Sequence, residues 1–79
     1  LKTHSYENEA FEISGLDGFI ADGKPHIHFT LGSADKVLSG HAGPGNKILY
    51  IAEIIICEVC GLTLTRSPNE KGINTLRYK

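Results

Sequence analysis

Tryptophan and methionine are absent from this 79-residue sequence, cysteine occurs twice, proline three times, and aromatic residues make up only 8 %. With so few large rings, a core must come from aliphatic side chains. A chain this short buries only roughly 60–65 % of the surface its unfolded form exposes, so a lone core is marginal. A metal, an oligomer interface or a further part of the chain is expected to help. Two cysteines are too few for the disulfide framework of a small secreted scaffold. No apolar run reaches the ~18 residues of a membrane span and no secretory leader pattern is visible, so a soluble cytoplasmic protein is expected, with no membrane partner. No run of three basic residues occurs anywhere, and 8 Lys+Arg stand against 9 Asp+Glu for a net charge of −1. Phosphate neutralisation needs clustered Lys and Arg, so the balance argues against a large nucleic-acid footprint.

What is present is glycine and turn punctuation that cuts the chain into strand-length pieces. Ala10–Leu16 alternates, with Phe11 and Ile13 on one face and Glu12 on the other; Gly15 and Gly18 suggest a bulge or a close backbone approach. Ala21-Asp22-Gly23-Lys24-Pro25 is a turn, because Asp-Gly tolerates positive φ and Pro25 cannot donate to a central ladder. His26–Leu31 alternates cleanly: Ile27, Phe29 and Leu31 share one face, and His26, His28 and Thr30 the other. Gly32–Asp35 turns the chain into a strand over Lys36–Ala42, and a loop follows at Gly43-Pro44-Gly45-Asn46. Ile48–Cys60 is the most apolar stretch. An apolar run alone does not separate strand from buried helix, but Ile54-Ile55-Ile56 and Val59 are β-branched and favour strand. Leu62–Arg66 and Leu76–Lys79 read as late strands around a turn at Ser67-Pro68-Asn69-Glu70. A single domain over residues 1–79 is expected, all-β or α+β and mostly antiparallel, any helix lying near its start.

The chemistry-bearing residues are histidines. His26-Ile27-His28 places two imidazoles on one strand face, roughly 6.5–7 Å apart. His41 joins them only through hairpin register. Pairing Leu31 with Lys36 sets His41 opposite His26, and sliding by two residues sets it opposite His28; cross-strand partners have Cβ atoms about 5 Å apart, so three imidazoles converge in either case. A slip of one residue turns His41 to the other face unless a bulge at Gly40 restores it. Three imidazoles suit zinc, or another divalent transition metal such as nickel, copper, cobalt or iron, and leave one coordination position open. Spacing alone leaves open the alternative of solvated surface histidines. His4 has no partner pattern and reads as a surface residue.

Phe11-Glu12-Ile13, Leu16-Asp17-Gly18, Gly23-Lys24-Pro25-His26-Ile27-His28, Ser39-Gly40-His41, Ala52-Glu53-Ile54-Ile55-Ile56 and the Leu62–Arg66 strand, in that order, resemble the plants-and-prokaryotes-conserved (PPC) domain, in its prokaryotic stand-alone form. The resemblance spans roughly residues 10–77. It implies a compact α+β domain of antiparallel sheets with one or two helices, a homotrimer, and a metal, usually zinc, on His26, His28 and His41. Prokaryotic members carry Gly-Gly-His where this chain has Ser39-Gly40-His41. Plant members carry AT-hooks that bind A·T-rich DNA; this chain has no Arg-Gly-Arg-Pro, so DNA binding travels here by analogy alone. The resemblance begins partway into the family pattern, so the chain from Leu1 is expected to be the larger C-terminal part of the domain. Strand edges left open in this way invite pairing with another chain.

Glu53 occupies a position the family tends to keep acidic. A carboxylate beside a metal centre can act as a general base or hold a ligand imidazole by its second nitrogen; the plainer alternative is a salt bridge. Cys57 and Cys60 spell Cys-x-x-Cys, but in an extended apolar segment residues three apart point to opposite faces, so buried inert thiols are expected. Gly43-Pro44-Gly45-Asn46 lacks the Gly-Lys-Ser/Thr tail of a phosphate loop. Three functions compete: a metal-binding oligomeric regulatory module, a metal-dependent enzyme acting on a small molecule at the open position, and a DNA-associated protein.

Overall fold

The structure, a computed structural model, describes residues 3–79, and the expected opening of the domain at Leu1 lies outside them. Five strands follow in chain order: β1 (Glu12–Ala21), β2 (Lys24–Gly32), β3 (Val37–His41), β4 (Leu64–Pro68) and β5 (Asn74–Tyr78). The first three form an antiparallel meander; β4 and β5 form a separate hairpin. The expected α+β class is corrected here, because no helix occurs among the described residues. Glycines recur too often through residues 15–45 to sustain a helix, and the longest apolar run is β-branched.

The β1–β2 connection shows why this sequence makes a hairpin. Asp22 and Gly23 both take positive φ, 54° and 70°, which is the two-residue turn whose twist matches the flanking strands. Closing on Ala21 and Lys24 leaves Ile20 opposite Pro25. That pair falls at a non-hydrogen-bonded position, so the missing proline N–H breaks no ladder bond. The bulge read from the glycines lies between Ile13 and Gly15. It skips Ser14, and so Ile13 and Leu16, three apart, both fall on the face of Leu31 and Phe29.

Two tethers hold the peripheral segments. Thr65 Oγ1 and Lys79 Nζ donate to the two oxygens of Asp22, at 3.2 and 2.8 Å, clipping the β4–β5 hairpin to the β1–β2 turn. Both partners lower the Asp22 carboxyl below its ordinary range, Lys79 foremost. Near the start of the chain, Lys36 Nζ pairs with Glu9 at 2.8 Å and lies 5.3 Å from the Tyr6 ring.

The strand expected over Ile48–Cys60 is not formed. Residues 51–59 have no regular structure, and apolar side chains in and just before this segment stand in solvent, Ile55 92 % and Tyr50 91 % exposed. A strand needs a neighbour to take its backbone hydrogen bonds, and among the described residues this segment pairs with none. Cys57 and Cys60 lie in it and are both exposed, which corrects the expectation of buried thiols. Among the described residues Ala21 is the only buried hydrophobic. A folded monomer of 8.6 kDa exposes about 4,700 Å². This chain exposes 7228 Å². Its radius of gyration is 15.0 Å, against about 12 Å for a globule of this length.

Candidate metal centre

β2 delivers His26 and His28 to one face by simple alternation, and the β2–β3 register decides the third residue. His28 pairs with His41, Thr30 with Ser39 and Gly32 with Val37. This is the second of the two productive registers, not the one that sets His41 opposite His26. No bulge interrupts β3 at Gly40, and Ala42 N extends the ladder to Ile27 O at 2.8 Å. The outcome is a closed triangle of rings. Centroids lie 5.0 Å apart for His26–His28, 5.0 Å for His26–His41 and 4.4 Å for His28–His41.

The donor set fits a metal. One ring nitrogen from each histidine lies within 4.8 Å of the other two. His26 Nε2 and His28 Nε2 stand 3.1 Å apart. Two imidazole nitrogens at 2.0–2.1 Å from a tetrahedral zinc stand about 3.3–3.4 Å apart, so little movement separates this arrangement from a ligated one. Loss of solvation lowers the His26 pKa from its ordinary 6.5, and the positive charges of Arg66, His28 and His41 add to the effect. A lowered pKa favours the neutral imidazole, the form that ligates.

Glu53 lies elsewhere. It is exposed and borders a hollow between the apolar segment and the outer edge of β1, with Ile13, Leu16, Ile54 and Ile55. His4 stacks on Tyr6 at 6.5 Å between centroids, consistent with a surface role.

Two residues not singled out from the sequence stand at the histidines. Arg66 on β4 is half-buried, donates from Nη2 to Asn74 O at 3.1 Å, and acts on His26 through its charge. Asp17 is the β1 partner of His28, so Asp17, His28 and His41 form one cross-strand row. The Asp-Gly turn was the available signal for Asp17: a two-residue loop closing on Ala21 and Lys24 pairs Asp17 with His28 by counting back along the strands. Arg66 had no such signal, since it arrives from a separate hairpin.

A hollow of about 310 Å³ adjoins this row, lined by Gly15, Asp17, His28, Thr30 and Ser39 among others. Gly15, Thr30 and Ser39 form the next cross-strand row, and the space above Gly15 is open to 4 Å.

Among the described residues no helix is long and apolar enough to cross a membrane. No curated protein and no solved structure matches this chain. The family model of the Plants and Prokaryotes Conserved (PCC) domain matches residues 2–60, three-quarters of the chain, and takes in both β2 and β3 with all three histidines. The chain belongs to the PCC domain family, the same family that its sequence resembles.

Proposed function

We propose that this protein is a metal-binding, oligomeric PCC domain acting as a regulatory binding module. His26, His28 and His41 hold zinc or another divalent transition metal. The single observation that carries the reading is the convergence of three imidazole nitrogens within 4.8 Å on a three-stranded face. When bound, the metal supplies Lewis acidity and one open position; the chain's own contribution is to hold the three rings preassembled on one side of the sheet. Metal analysis of the purified protein tests it. One equivalent per chain, lost in a His28→Ala variant, is expected; no stoichiometric metal even after reconstitution overturns it.

Assembly is the second element of the reading, with a homotrimer as the expected form. The chain exposes roughly 2,500 Å² more than a folded monomer of its mass, an excess in the range of obligate interfaces. The surplus is concentrated where Ile48, Leu49, Tyr50, Ile51 and Ile54–Ile56 are exposed, beside the unpaired edge of β1. Partner subunits covering that edge and segment would supply the ladder bonds and the core that one chain lacks. Light scattering on the eluting protein is expected to give three chains per particle.

DNA association enters by family analogy, and the charge balance gives it no basic surface in the single chain. An A·T-rich duplex at two salt concentrations tests it, since a real phosphate footprint loses affinity steeply with salt. The open coordination position favours one alternative, a metal-dependent enzyme acting on a small molecule.

A further inference from the structure

We propose that the open coordination position at the histidine triad takes an organic carboxylate with an apolar body, and that Arg66 and Phe19 select it. The proposal rests on the three-histidine metal reading and deepens it by naming the ligand class.

The charges around the triad are unevenly placed. Asp17 is the carboxylate in its rows, opposite His28 and level with His41. His26 lies one row nearer the β1–β2 turn, and Lys24 stands on the same face in the row beyond it. Arg66 comes to this end of the triad on β4, which packs on β1 and is clipped to the turn by Thr65 Oγ1 on Asp22 at 3.2 Å. Among the charges acting on His26, that of Arg66 is the strongest. The carboxylate at the turn, Asp22, is already engaged by Lys79 Nζ at 2.8 Å and by Thr65. Ligating imidazoles are neutral, so a divalent ion on the triad stands between one carboxylate, Asp17, and two side-chain cations, Lys24 and Arg66. The balance is positive, and most so on the His26 side. The ligand that completes the coordination is therefore an anion.

Arg66 is equipped for a carboxylate. It is half-buried, and its Nη2 donates to Asn74 O at 3.1 Å, a bond that holds the guanidinium while using only part of its donor fork. A planar fork held in this way matches the paired oxygens of a carboxylate. The apolar half of the ligand is read from Phe19. It pairs with His26 across β1 and β2, shares its face and is 58 % exposed. Directly opposed residues have Cβ atoms about 4.5–5.5 Å apart, so an aromatic ring with more than half its surface open stands beside the triad. A carboxylate carrying an aryl group satisfies both features: its oxygens answer the positive charge and its ring answers Phe19.

The test titrates benzoate, acetate and benzamide into the cobalt-loaded full chain and follows the visible absorption of the cobalt ion, which reports a change in its ligand set. Benzoate is expected to bind about two- to tenfold more tightly than acetate, the range of one aromatic contact. Benzamide, its uncharged isostere, is expected to bind at least about tenfold more weakly than benzoate. Arg66→Gln is expected to weaken benzoate and acetate at least about tenfold, as loss of one charge-assisted hydrogen bond allows, with cobalt still bound; Arg66→Lys retains part of the affinity. Phe19→Ala removes the advantage of benzoate over acetate and leaves acetate unchanged. A hairpin merely loosened by Arg66→Gln leaves the benzoate-to-benzamide ratio as in the wild type, and that result counts against the proposal. A spectrum unmoved by benzoate, equal binding of benzoate and acetate in the wild type, or full carboxylate affinity in Arg66→Gln overturns it, while the bound cobalt keeps the metal reading intact. A wild type that retains no cobalt overturns the metal reading first, and the proposal with it.

Discussion

A Cβ atom added to Gly18 would lie 2.1 Å from the backbone oxygen of His26 and 2.8 Å from the Cα of Ile27. The β1 backbone at Gly18 thus packs directly onto the strand segment that presents the first histidine. No flexible side chain is available to yield, because both atoms belong to the backbone.

Gly18→Ala is therefore expected to push β2 away from β1 at His26. Overpacking of this kind costs about 1–3 kcal/mol. Urea unfolding is expected to show that loss, and zinc affinity is expected to fall with it. A Gly15→Ala variant, which meets open space, is the matched control and should unfold like the wild type. Wild-type stability in Gly18→Ala would contradict the close approach.

Alanine at His26, His28 or His41 is expected to weaken zinc binding by at least about 100-fold, beyond the 10–100-fold typical of residues that only support ligands. Calorimetry with competing chelator resolves the difference. His4→Ala, on a residue stacked against Tyr6, is expected to leave affinity unchanged. Equal effects at His4 and at His41 would sink the assignment.

The lowered pKa of His26 has a definite sign in the metal-free protein. Between the unfolded value near 6.5 and the lower folded value, the unfolded chain binds more protons than the folded one. Stability from this group is thus fully present above about pH 6.5 and declines as pH falls through that window. Histidine NMR titration is expected to place the His26 midpoint below 6.5, and Arg66→Gln to move it upward. A midpoint above 6.5 would falsify the reading of its surroundings.

Ile55 is 92 % exposed in the single chain. Ile55→Lys is expected to lower the particle mass in light scattering from three chains toward one, because a buried unpaired ammonium is costly in an interface. The β1–β2–β3 sheet is expected to keep its strand signal by circular dichroism. An unchanged mass would show that this segment lies outside the interface.

Much of the sheet was legible because its signals are local. Asp22-Gly23 marks its own turn, and Ile27, Phe29 and Leu31 mark their own face. The bulge was readable as a neighbourhood around Gly15, although its position at Ser14 needed the ladder. Ile48–Cys60 was misread for the opposite reason. Its β-branched composition reports a preference for strand, but strand formation also needs a partner edge, and none is paired with it among the described residues. Cys57 and Cys60 followed the same error, since burial was inferred from apolar neighbours that are themselves exposed.

The sequence by itself determined that His26 and His28 share a face, since residues two apart on a strand always do. The pairing of Asp17 with His28 was not read from the sequence, although the Asp22-Gly23 turn carried its signal. Only the tertiary structure decided that His41 meets His28 and not His26, and that Arg66 reaches the triad at all. Alternation is a property of one strand, whereas register between strands and the docking of a separate hairpin depend on contacts remote in sequence. A one-residue slip in that register would have turned His41 away and left two histidines where three now converge.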